Sequence, residues 1–136
     1  EPAMNIDLYP TLISLAGGRL PDDRPIDGKD MLPLLTGSNA SPHEVLFLFN
    51  RDRFVGVRRG VWKLVVETRY RATLNSFEHS TYYGPDGLLF DLKNDPGETY
   101  SFTREYPEVV QQLRKHLRNA REELLPAVLP QMWNRQ

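Results

Sequence analysis

The chain has 136 residues, 40% hydrophobic and 26% charged, which suits one soluble globular domain, 1–136, with a modest core. Its formal net charge of -1 supplies no global field for nucleic acid or an anionic surface, and the absence of cysteine excludes disulfides, thiolate nucleophiles and sulfur-rich zinc sites. No apolar run reaches the length of a membrane span, and Glu1-Pro2-Ala3-Met4-Asn5 has neither the basic start nor the apolar stretch of a signal peptide, so nothing here specifies a compartment.

In the first segment Ile6, Tyr9, Leu12, Ile13 and Ala16 recur at helical spacing, Leu8 and Leu15 widen the face, and Gly17-Gly18 supplies a stop. An apolar helix almost at residue 1 reads as part of something longer. Arg19 to Gly28 is a loop by its Pro, Asp and Gly content. Asp30 to Gly37 then predicts a short helix with Asp30 as N-cap and Gly37 as stop.

Three β-branched and aromatic runs follow: Val45–Phe49, Phe54–Val57 and Val61–Val66. Their close spacing favours an antiparallel meander, with turns at Asn50-Arg51-Asp52 and Arg59-Gly60. In the third run Trp62, Leu64 and Val66 share one face and Lys63, Val65 and Glu67 the other, which predicts that one face packs on the core. Periodicity is lost from Thr68 to Gly87, a long aromatic-rich loop of the kind that is functional or lies against a partner. Leu88–Leu92 is a fourth strand. A helix starts near Pro107, with Val109, Leu113, Leu117, Ala120 and Leu124 on its apolar face. Pro126 is expected to end it, leaving 126–136 as an irregular tail. The whole is an α+β fold: a four-stranded antiparallel sheet packed against a long C-terminal helix, with N-terminal helical segments.

The acids Asp91, Asp95 and Glu98 in Leu88-Leu89-Phe90-Asp91-Leu92-Lys93-Asn94-Asp95-Pro96-Gly97-Glu98 offer oxygen ligands of the calcium type, but their spacing fits no calcium loop. A turn explains them more simply: Asp opens it, Pro fixes φ and Gly accepts φ > 0. No site of metal binding is assigned. Of the three histidines, His43 marks the approach to the first strand and His116 lies in the polar part of the last helix. His79, within the aromatic loop, can donate to an anion or exchange a proton near neutral pH; the plain alternative is a surface histidine. Arg69 and Arg71 carry guanidinium forks suited to a sulfate or carboxylate. These three are the candidate substrate-binding residues. No G-x-S-x-G, glycine-rich phosphate loop or nucleophile arrangement occurs, so no catalytic residue is assigned and the chain alone reads as non-catalytic.

Four pieces in order carry a family resemblance: Asp7-Leu8-Tyr9-Pro10-Thr11-Leu12-Ile13-Ser14-Leu15-Ala16-Gly17; Ile26-Asp27-Gly28-Lys29-Asp30-Met31-Leu32-Pro33-Leu34-Leu35-Thr36-Gly37; Val57-Arg58-Arg59-Gly60-Val61-Trp62-Lys63-Leu64; and Leu89-Phe90-Asp91-Leu92-Lys93-Asn94-Asp95-Pro96-Gly97-Glu98. Together they resemble the C-terminal region of the sulfatases, the arylsulfatase-like members of the alkaline phosphatase superfamily. The resemblance implies a parent enzyme that hydrolyses sulfate esters with a formylglycine beside calcium or magnesium, all held by an N-terminal catalytic domain outside this chain. It also implies that this region leans on that domain and lends loops to the rim of the substrate pocket. Two other readings stand beside it: a free-standing module binding sulfated carbohydrate or another anion through the Arg69–Tyr83 loop, and a structural or interaction domain pairing with a partner or a second copy through an exposed apolar helix.

Overall fold

A computed structural model describes residues 1–37, 40–50, 53–66 and 87–128. The chain folds as two compact units, Glu1–Leu46 and Phe47–Gln136. In the first, a 3-10 turn over Asn5–Asp7 runs into helix α1, Leu8–Leu15. Gly17, with φ 69, and Gly18, whose N–H donates to the Ile13 carbonyl at 2.9 Å, close α1 as the sequence predicts. A single turn, α2, spans Leu32–Leu35; Asp30 Oδ1 accepts the Leu32 N–H at 2.8 Å, so Asp30 caps it from one position further out than expected.

The burial of α1 departs from its apolar periodicity. Leu8, Tyr9, Leu12 and Leu15 are exposed, at 50%, 49%, 62% and 58%, whereas Asp7, Pro10 and Thr11 are buried. Periodicity states which residues share a face, not which face turns inward; here polar contacts decide that.

The second unit holds the sheet apart from Leu46, the first residue of β1: β1 Leu46–Asn50, β2 Arg53–Arg59, β3 Trp62–Val65 and β4 Leu88–Asp91, in the order β1-β2-β3-β4. This is the expected antiparallel meander, with Val57 opposite Leu64 and Leu64 opposite Leu89. Gly60, at φ 56, makes the tight β2–β3 turn, which a side chain would strain. Both faces of β3 are covered, contrary to the expected single core face: Leu64 is fully buried, and on the other side Val65 and Lys63 are buried too. A lysine there is tolerated because a carboxylate meets it, as described below.

Helix α3, Pro107–Val128, packs against β2. Its buried face is Val110, Leu113, Leu117 and Ala120; Val110, not the predicted Val109, takes the first inward position. Trp62 lies against Tyr106, the residue before the helix, with ring centroids 4.9 Å apart. α3 continues through Pro126 to Val128, so the first three residues of the expected irregular tail are helical. The missing proline N–H falls in the last turn of a helix already anchored upstream, where one lost bond is absorbed. Residues 129–136 lie outside the described residues.

The free side of β4 is closed by residues 101–103. Leu89 N–H donates to Thr103 Oγ1 at 3.0 Å and to Ser101 Oγ at 3.3 Å, while Phe102 N–H donates to the Leu89 carbonyl at 2.8 Å. An edge strand that would present unpaired backbone groups is thereby satisfied by the chain itself.

Candidate functional site

The sequence-predicted substrate residues His79, Arg69 and Arg71 lie outside the described residues, as does the aromatic loop that carries them. What the described residues do assemble are two polar centres, one in each unit.

The first is built on Asp7, the first residue of the D-L-x-P-T-L stretch. Its carboxylate is fully buried. Oδ2 accepts the Met4 N–H at 2.8 Å; Oδ1 accepts the Lys29 N–H at 2.9 Å and meets His43 Nε2 at 2.7 Å. Burial acts to raise the Asp7 pKa, but the Lys29 and Met4 amides and the His43 ring outweigh it, and the carboxyl is held below its ordinary value. An ionised carboxylate has no hydrogen to give, so Nε2 carries the hydrogen of the bond to His43. Thr11 extends the network: its hydroxyl donates to the Asp7 carbonyl at 2.6 Å and accepts the Met31 N–H at 3.0 Å. Residues 20 to 36 positions apart are thus drawn onto one helix start.

Gly28 is what allows the approach. A Cβ there would stand 2.1 Å from the Ile6 carbonyl oxygen, a backbone atom with no freedom to retreat. Its neighbour Lys29 can then reach Asp7. Ser41 finishes the frame, donating to the Pro2 carbonyl at 2.6 Å and accepting the His43 N–H at 3.0 Å. The centre is a clasp: each carboxylate oxygen is engaged by the chain's own donors.

The second centre is the Asp-Pro-Gly turn after β4. Asp91 Oδ1 accepts the Lys93 N–H at 3.0 Å, and Oδ2 accepts the Asn94 side-chain amide at 2.7 Å; that amide is the main reason its pKa is lowered. Asp95 Oδ2 accepts the N–H groups of Thr99 at 2.6 Å and Tyr100 at 2.9 Å, and Oδ1 accepts the Thr99 hydroxyl at 2.9 Å. The turn reading of the sequence is correct for both acids. One detail differs: the left-handed residue is Glu98, at φ 54, not Gly97. Such a conformation costs a non-glycine residue roughly 1 kcal/mol. It delivers the Glu98 carboxylate to Lys63 Nζ at 2.6 Å, where both side chains are largely buried.

Sequence reasoning named Asp7 only as the start of a motif and His43 only as the approach to a strand, and it missed their pairing. The available signal was an acid inside an otherwise apolar helix start, followed by an isoleucine-aspartate-glycine step that only a close backbone contact requires. Among the described residues no group of three His, Cys, Asp or Glu side chains is arranged to hold a metal ion.

The family described as the C-terminal region of aryl-sulfatase matches residues 41–135. The steryl-sulfatase of Mus musculus is 36% identical over an alignment that takes in 93% of this chain and 24% of the mouse protein. Arylsulfatase A of Bos taurus is also 36% identical, across 80% of this chain and 24% of its own length. Among solved structures, the PsFucS1 sulfatase from Pseudoalteromonas sp. shares the fold with a TM-score of 0.63 at 21% identity, covering 84% of this chain and 24% of that one. The chain therefore spans about a quarter of the length of the curated relatives it matches.

Proposed function

Because this chain belongs to the sulfatase family, as a C-terminal region of it, we propose that it works as a single subdomain, 1–136, of a sulfuric ester hydrolase. In this reading it docks on an N-terminal catalytic domain and closes one side of the substrate pocket. It is inactive alone. The observation that carries the reading is the outward face of α1, where Leu8, Leu12 and Leu15 stand half or more exposed while the polar Asp7 and Thr11 are buried. A helix held inward by hydrogen bonds and apolar outward has a second surface to cover.

The sequence offers no precursor for the family's formylglycine, and among the described residues no group of His, Cys, Asp or Glu side chains is arranged to hold its calcium or magnesium. It has no cysteine and no S-x-P-x-R stretch from which a formylglycine could be made, and the acids of its conspicuous turn are spent on backbone amides. No chemical step is therefore assigned to it. His79, Arg69 and Arg71 are proposed to reach the pocket rim and meet the sulfate ester, a guanidinium fork being matched to a tetrahedral oxyanion.

An aryl-sulfate assay of the isolated chain with calcium tests this. No turnover is expected. Turnover that survives purification and disappears in His79→Ala would overturn the assignment of catalysis to another domain. Titration with sulfated oligosaccharides in parallel separates the rival module reading, which requires saturable binding by the isolated chain.

A further inference from the structure

Asp95-Pro96 is the one aspartate-proline pair in the sequence. Its peptide bond is inherently open to acid hydrolysis, for two reasons: the side-chain carboxylate can attack its own backbone carbonyl, and the tertiary proline nitrogen, more basic than an ordinary amide nitrogen, leaves readily once protonated. Reaction needs a carboxylate with a free oxygen, a proton for the nitrogen, and water. The turn supplies the last and withholds the first. Pro96 and Gly97 are exposed. Yet Oδ2 of Asp95 already accepts two backbone N–H groups, from Thr99 and Tyr100, and Oδ1 accepts the Thr99 hydroxyl. The Glu98 N–H also donates to the Asp95 carbonyl oxygen at 3.1 Å, fixing the group that would be attacked.

We propose that Asp95-Pro96 is a latent acid-labile scission site, kept closed by the Thr99 and Tyr100 donors and opened by local unfolding of the turn. When the turn opens, an Asp95 carboxylate oxygen bonds to the Asp95 carbonyl carbon. The bond to Pro96 nitrogen breaks, its electron pair staying on that nitrogen, which takes a proton from the solvent. The cyclic anhydride left on Asp95 adds one water and becomes two carboxyl groups. The cut falls between β4 and the 101–103 segment that covers its edge, so it frees the cover and α3 from their covalent tie to the sheet.

Mass spectrometry of the 136-residue chain held at about pH 3, below the ordinary aspartate range, reads the outcome directly. Four samples are compared: the native chain, the same chain in guanidinium chloride, Thr99→Ala, and Asp95→Asn in guanidinium chloride. The unfolded sample is expected to yield residues 1–95 and 96–136, the native chain to resist, and Thr99→Ala to cleave about fivefold faster than the native chain, having lost one donor. Asp95→Asn should abolish cleavage even when unfolded. If Thr99→Ala proves unfolded at that pH, hydrogen exchange of the native chain replaces it: cleavage must not outpace exchange of the Thr99 and Tyr100 amides. Cleavage of the native chain while those amides stay protected, or cleavage of Asp95→Asn, would overturn the proposal.

Discussion

Asp7 shows how one buried charge organises a segment with little apolar interior of its own. Its carboxylate replaces water with three donors from separate stretches of chain, Met4, Lys29 and His43. Ionised, it satisfies all three; without them it would be an uncompensated buried charge. Asp7→Asn keeps the shape but loses the charge and turns one acceptor into a donor facing donors. It should cost about 2 kcal/mol, read as a lower midpoint in chemical denaturation of the chain. The pH dependence has a definite sign. The folded carboxyl titrates below its unfolded value, so its contribution is fully present above the ordinary aspartate pKa of about 3.9 and is lost as pH falls through the lower, folded value. Denaturation midpoints of the native chain should therefore drop more steeply below about pH 4 than those of Asp7→Asn.

At the scale of elements, β3 and the turn after β4 are joined by an ion pair between residues 35 apart. Lys63 sits in a row of buried side chains, and Glu98, which meets it, has a left-handed backbone. Breaking one side should be worse than removing both: Lys63→Ala is expected to cost about 3 kcal/mol, and Lys63→Met with Glu98→Met to recover most of it. A double-mutant cycle by thermal unfolding measures the difference. These elements also mark where sequence reading succeeds. The strands and α3 are legible because β-branched and aromatic runs alternate with turn residues, and because Pro107 and the inward Leu113 and Leu117 follow local rules. Lys63 was unreadable because its partner is distant. The orientation of α1 was unreadable because Asp7, not the leucines, sets it, through amides that no periodicity reveals. The left-handed step falls on Glu98 and not on Gly97, the residue with no steric penalty there, and Glu98 is also the residue that meets Lys63, a contact no local turn rule includes.

At the scale of the molecule, the exposed leucines of α1 are the feature that the proposed docking on a catalytic domain rests on. If that face is a seat for a catalytic domain, charges on it should leave folding nearly untouched, since these side chains are already in water. Leu12→Lys with Leu15→Lys is expected to change stability by less than about 0.5 kcal/mol. The same change should abolish any self-association of the isolated chain, seen as a monomer at every concentration in sedimentation velocity. A native chain that is monomeric throughout would remove the second copy as an occupant and leave the catalytic domain. The candidate pocket residues were legible only as types, cations and an imidazole in a loop with no pattern; what a loop reaches depends on the surface it lies against.

The cover over β4 has one more consequence. With Leu89 answered on its outer side by Ser101, Phe102 and Thr103, strand addition is blocked there, and among the described strands the other edge of the order β1-β2-β3-β4 is β1. Among the described strands, ribbon-like stacking of copies would therefore have to start at β1.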